Sequence, residues 1–229
     1  CGRRFGLDEE VFTGPDCGPL AGTLDVCYDL KALARDGHAS GEPSGLDWED
    51  LQRREASIWR YHELLPVTDP AAVLDMPTGM TPLMPLSGER GFDPPGRVWV
   101  KDDTRLASGS SKDRATAVAL SRARQRGYTR VAAASTGNAA ASVACYAARA
   151  GLECVVFAPA RAPAAKLLQI RAYGAQLVAV DGSYDEAFDL CARYCQATGA
   201  YNRNTASNPF LGEGKKTLAL EIWDQLGGR

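Results

Sequence analysis

At 229 residues the chain is long enough for one large domain or two small ones, and its 45% hydrophobic content supplies a buried core. Twenty-six Lys plus Arg against twenty-eight Asp plus Glu give a formal net charge of -2 with the signs interspersed, which argues against a polyanion-binding face and against nucleic acid as a partner. No apolar run approaches the roughly 20 residues of a membrane span and no signal peptide opens the chain, so a cytoplasmic location is expected.

Residues 1–30 are rich in Gly and Pro and carry the alternating run Thr23 to Tyr28, which predicts a hairpin. Cys1 and Cys17 each lack the near neighbour that a CxxC pair would supply, so a ribbon-like hairpin without zinc is expected. The seven cysteines are odd in number and irregularly spaced, as reduced thiols are. Cys145 and Cys154 lie in apolar segments, and Cys191 and Cys195 stand one helical turn apart without further metal ligands nearby. The chain starts at Cys1 and stops after "DQLGGR", which reads as an internal piece of a longer protein.

A helix is predicted around "DWEDLQRREASIWRYHELLP", followed by loops that include "MPTGMTPLMPL". From residue 97 apolar runs alternate with helical ones. "RVWVKDD" predicts a strand, 111–126 a helix, "TRVAAAS" a strand, 138–150 a helix of small residues and "LECVVFAP" a buried strand. "APAAKLLQIRAY" predicts a helix, "AQLVAV" a strand, 183–198 a helix and "GEGKKTLALEIWDQLGG" a last helix. Strands separated by such helices imply right-handed crossovers and a doubly wound, mostly parallel α/β sheet, with ligands at the carboxyl ends of its strands.

That rule selects two strand-to-helix loops, "DDTRLASGSSKDR" and "STGNAAAS". In the first, Ser110 and Asp113 have capping-box spacing, whereas Lys112 is a cation in the first turn, opposed by the helix dipole and by nearby Arg114. That setting favours the neutral amine, a nucleophile toward carbonyls. In the second, the N–H groups of Thr136, Gly137 and Asn138 open a helix and form an anion site. Read alone, a lysine near a helix start points into water and S-T-G-N is a turn with a cap; their joint place at one sheet edge is what favours a site.

In order, "WRYHELLP" with "GMTPLMPL", "SGSSKDR", "STGNAAASVACYAARAG" and "NPFLGEGKKT" resemble the threonine synthase family, from about residue 48 to the end. The resemblance implies fold type II, the tryptophan synthase beta-subunit type of pyridoxal 5'-phosphate enzyme. Residues 31–127 would begin a larger domain, 128–200 form a smaller one and 201–229 return to the larger, after the remnant at 1–30. Lys112 is implied as the lysine that bonds the cofactor and then transfers protons, Asn138 as the donor to its phenolic oxygen, and Ser135, Thr136 and Gly137 as the seat of the substrate carboxylate. The glycine-rich phosphate loop and the pyridine-nitrogen partner are expected after residue 229, and Ser111 stands where the commonest family form is bulkier.

The implied reaction converts O-phosphohomoserine and water to threonine and phosphate, in a homodimer without metal. A phosphorylated substrate needs cations; Lys166 is the choice, with Arg203 and Arg114 as further candidates. Thr81 is an option for facing the cofactor. Cysteate synthase, a threonine or serine dehydratase and a cysteine synthase are the alternatives within the fold type, and a non-catalytic anion-binding module is the alternative outside it.

Overall fold

The computed structural model describes residues 2–9, 11–18, 22–33, 48–86, 96–205 and 207–228. Within 130–202, β-branched and alanine-rich runs form four parallel strands: β3 (Arg130–Ala134), β4 (Glu153–Pro159), β5 (Gln176–Val180) and β6 (Tyr201–Asn202), ordered β5-β4-β3-β6. The helices between them are α3 (Asn138–Ala150), α4 (Ala164–Ala172) and α5 (Tyr184–Thr198). The period of two along β3 and β4 decides which helix meets which face. Val131, Ala133 and Val156 pack with Ala140, Val143, Ala144 and Ala147 of α3 and Ile170 of α4. Ala132, Ala134, Val155 and Phe157 pack with Ala187, Cys191 and Cys195 of α5 on the other side. The result is the doubly wound α/β layering that the alternation predicts.

Helix ends follow the local sequence. Ser183 caps α5 in a capping box: its hydroxyl accepts from the Glu186 N–H at 3.2 Å, and the Glu186 carboxylate accepts from the Ser183 N–H at 2.7 Å. Gly151 and Gly199 close α3 and α5 at φ 68° and 69°, where a side chain would be strained.

Two further helices build the other side of the site. α2 (Lys112–Gln125) is buried from Asp113 to Ala123, and α6 (Phe210–Gln225) lies against it. Gly214 sets their approach. A methyl there would sit inside the Arg114 carbonyl oxygen and 2.8 Å from the Ala115 Cα. Gly→Ala in a helix interior ordinarily stabilises by up to about 1 kcal/mol. At Gly214 the sign reverses: backbone cannot give way like a side-chain tip, so Gly214→Ala is expected to destabilise by about 1–3 kcal/mol, measurable by thermal melting.

Several expectations are corrected upstream. The predicted helix at 47–66 is two pieces, α1 (Trp48–Arg53) and a 3-10 helix, Ile58–Leu64, capped by the Ser57 hydroxyl. Arg54 turns back to Asp50 and Glu63, and bonds the Arg60 carbonyl, which fixes the break. "RVWVKDD" does not join the parallel sheet. Its strand β2 (Trp99–Lys101) pairs antiparallel with β1 (Leu83–Pro85), which comes from the stretch expected to be a loop. Residues 23–28 form no strand, only a bridge between Thr13 and Thr23. Cys1 lies outside the described residues; Cys17, Cys27, Cys145, Cys154, Cys191 and Cys195 are free thiols. No described helix is long and apolar enough to cross a membrane, and the described residues contain no metal-ready group of three or more His, Cys, Asp or Glu.

Candidate active site

Lys112 opens α2 and is exposed, and its amine has no hydrogen-bond or ion-pair partner among the described residues. The turn before it is held from within. Asp113, fully buried, accepts from the N–H of Ser108 at 2.7 Å and from its hydroxyl, and the Ser110 hydroxyl accepts weakly from the Lys112 N–H at 3.4 Å. The expected capping box is thus replaced: Ser111 is the cap residue without a side-chain bond, and Asp113 reaches Ser108 instead of Ser110. Gly109, at φ 77°, lets the turn reverse.

The second loop follows β3. Ser135 continues the ladder through its N–H to Phe157 at 3.1 Å, and its hydroxyl accepts from the Gly137 N–H at 3.2 Å. The N–H groups of Thr136, Asn138 and Ala139 donate to no acceptor among the described residues, and nothing lies within 4 Å of where a Gly137 side chain would start. Lys166, at the start of α4, donates to the Asn138 carbonyl oxygen at 3.1 Å. That bond fixes the amide's orientation and leaves its two N–H groups to donate elsewhere.

One hydroxyl joins the two loops. Thr116, a turn into α2, donates to the Lys112 carbonyl at 3.0 Å and accepts from Ser142, a turn into α3, at 2.7 Å. Lys112 and Asn138 therefore each begin one helical turn, about 6 Å, from a shared bond. Thr116 also accepts from Arg203 at 2.9 Å. Arg203 is 2% exposed, its Nε has no acceptor, and no carboxylate stands within ion-pair distance of it among the described residues. Burial pulls this guanidinium down to about 10. Arg203, Ser135, Ala139, Tyr184, Asn204 and Thr205 line a cavity of about 520 Å³. Asn204 shapes its floor by accepting from the Ala134 N–H at 2.8 Å and donating to the Cys191 sulfur at 3.4 Å.

Arg114 and Thr81 stand differently from expectation. Arg114 is fully buried and bonded to Asp103 and Glu221, so it neither repels Lys112 freely nor serves a ligand. The Thr81 hydroxyl donates to Asp103 at 2.8 Å and accepts from Arg114 at 3.2 Å, which places it in that network. Thr116 and Asn204 were not singled out from sequence. For Thr116 the only signal was its i,i+4 spacing from Lys112.

The donor set suits a flat anionic cofactor bearing an aldehyde: a free primary amine, an oriented amide, open N–H groups at a helix start and a glycine that leaves room. Comparison with known proteins agrees. The chain is similar to threonine synthase of Methanocaldococcus jannaschii, 36% identical over 99% of this chain and 53% of that one. It is also similar to threonine synthase of Halalkalibacterium halodurans, 38% identical over 75% of this chain and 49% of that one. The chain thus spans about half the length of these curated relatives. Among solved structures it resembles maize serine racemase, with TM-score 0.51 and 26% identity over 56% of this chain and 39% of that one. It also superposes on O-ureido-L-serine synthase, with TM-score 0.59 and 24% identity over 65% of this chain and 49% of that one, a likeness of fold. Residues 74–229 match the family described as pyridoxal-phosphate dependent enzyme, more than half of the sequence, and the chain belongs to that family.

Proposed function

We propose that this chain is the lysine-bearing part of a threonine synthase, a carbon-oxygen lyase that converts O-phosphohomoserine and water to threonine and phosphate. The observation that carries the reading is the partnerless Lys112 amine one turn from the Thr116–Ser142 bond, with the Asn138 amide one turn from the same bond. Likeness to threonine synthases over nearly the whole chain supports the choice of reaction. Bound there, pyridoxal 5'-phosphate supplies an electron sink for carbanion chemistry.

Each residue then has a task. The Lys112 amine would hold the cofactor at its aldehyde and would move protons at the substrate's α carbon. Asn138, its amide oriented by Lys166, would donate to the phenolic oxygen. Ser135, Thr136 and Gly137 hold the carboxylate at the α3 start, where oriented N–H groups and the helix dipole favour negative charge. Lys166 serves the substrate through this same loop, and Arg203 faces the cavity as the buried cation for a phosphate. Cofactor and substrate would lie between residues 31–127 with 201–229 on one side and 128–200 on the other, in a cytoplasmic homodimer.

The test is direct turnover by the full-length protein loaded with cofactor. Threonine and inorganic phosphate are expected in equal amounts from O-phosphohomoserine. Cysteate from phosphoserine and sulfite, with no threonine, would move the protein to the sister reaction.

A further inference from the structure

The Lys112 amine has no hydrogen-bond or ion-pair partner among the described residues, so its main chain decides where it can reach. On the N–H side that main chain is loosely held: Ser111 makes no side-chain cap bond, and the Ser110 hydroxyl accepts at 3.4 Å. On the carbonyl side the Thr116 hydroxyl donates at 3.0 Å. A hydroxyl has one proton to give and two lone pairs to accept with. Thr116 uses all three, because its oxygen also accepts from Ser142 at 2.7 Å and from Arg203 at 2.9 Å. Arg203 in turn donates its own N–H to the Ala132 carbonyl at 2.9 Å, so its side chain carries the position of β3 across to α2. The lysine turn, α3 and the sheet thus meet at one oxygen. Thr116 and Ser142 are fully buried and Arg203 nearly so, which leaves no solvent to replace that oxygen if it is removed.

α3 carries its own comparison. Tyr146 lies one turn beyond Ser142, is equally buried, and shares a bond of 2.7 Å with the Thr78 hydroxyl. That bond matches the Ser142–Thr116 bond in length and burial, but it ties α3 to the loop before β1 and not to the start of α2. A change at Tyr146 therefore probes the anchoring of α3 in general, whereas a change at Thr116 probes the placement of Lys112.

We infer that Thr116 is a positioning residue, the hydroxyl that sets Lys112 in register with Asn138 and the sheet edge. The inference rests on Lys112 being the cofactor's lysine. Its test compares Thr116→Val, Thr116→Ser and Tyr146→Phe with wild type in the full-length holoenzyme, reading kcat and the visible absorption of the bound cofactor. Thr116→Val is expected to lower kcat about a hundredfold, the size that a misplacement of about 1 Å carries, and to displace the absorption band. Thr116→Ser, which keeps the hydroxyl, should restore both. Tyr146→Phe should lower the melting temperature and leave kcat and the band at wild-type values. Wild-type kcat and absorption in Thr116→Val overturn the assignment, and so does an equal loss in Tyr146→Phe. If Thr116→Val does not fold, Ser142→Ala carries the test, since it leaves Thr116 its bonds to Lys112 and Arg203. There kcat should fall about tenfold, the size of one buried hydrogen bond, with the band displaced in the same direction, and wild-type values overturn the assignment. Borohydride labelling keeps the two readings apart. Cofactor fixed on Lys112 together with an unchanged Thr116→Val rejects only the role of Thr116; cofactor fixed elsewhere rejects both.

Discussion

In the full-length protein, Lys112→Ala is expected to remove covalent cofactor attachment completely and to lower turnover by about a thousandfold or more, the size that loss of a positioned acid-base group carries. The structure gives reasons why neighbouring lysines should not substitute. Lys166 is bonded to Asn138, and Lys216 is bonded to Glu213 over Tyr28. Lys215 sits on a different helix, set by the close contact at Gly214. Lys112→Arg separates charge from nucleophilicity: it keeps a cation at the start of α2 but cannot condense with an aldehyde, so it should fail as completely as alanine. The measurement is borohydride reduction followed by peptide mass mapping. Wild-type protein should carry the label on Lys112. A label elsewhere, or none on a folded wild-type protein given cofactor, would leave the likeness as one of scaffold and favour an anion-binding module.

The parallel sheet was legible in the sequence because period-two strands and small-residue helices bury opposite faces, and α3 begins at Asn138, where its helix was expected to start. The first hundred residues were less so. "DWEDLQRREASIWRYHELLP" has helical composition, but Arg54 satisfies carboxylates and a carbonyl across the break, a tertiary choice that no local propensity encodes. "MPTGMTPLMPL" looked like loop because three Pro and a Gly interrupt it, yet Leu83–Pro85 makes a short strand that, among the described residues, pairs with β2 alone, where proline is tolerated. In the site, Lys112 and the "STGN" loop were readable as local signals at helix starts. What joins them was not: Thr116 is an ordinary helix residue until Ser142 and Arg203 arrive from 26 and 87 positions away. Arg114 was misjudged for the same reason. Its partners, Asp103 and Glu221, lie 11 and 107 residues off.

That network carries the second large effect. Arg114→Met is expected to destabilise the fold by about 3–5 kcal/mol, because it strands carboxylates that are out of water. Arg114 grips Asp103 with two bonds of 2.8 Å and Glu221 with bonds of 2.6 and 2.8 Å, and Lys101 meets Glu221 at 2.8 Å. Methionine fills the volume but leaves Asp103 only the Thr81 hydroxyl. At about 2–4 °C per kcal/mol for a unit of this size, the melting temperature should drop by roughly 10 °C. The pH dependence identifies the stranded group. Burial pushes the Asp103 carboxyl up, but the hydrogen bonds from Arg114 and Thr81 outweigh it and hold the carboxyl below its usual range. A folded value below the unfolded one, near 4, means a contribution fully present above about pH 4 and lost as pH falls through the folded value. Without Arg114, burial governs, the folded value rises above the unfolded one, and the penalty is full at neutral pH and fades in acid. Both shifts act in the same direction, so the gap in melting temperature between wild type and Arg114→Met should be widest near pH 7 and narrow toward pH 4. A gap that stays constant over that range would mean that lost packing, and not the uncompensated charge of Asp103, is what the substitution exposes.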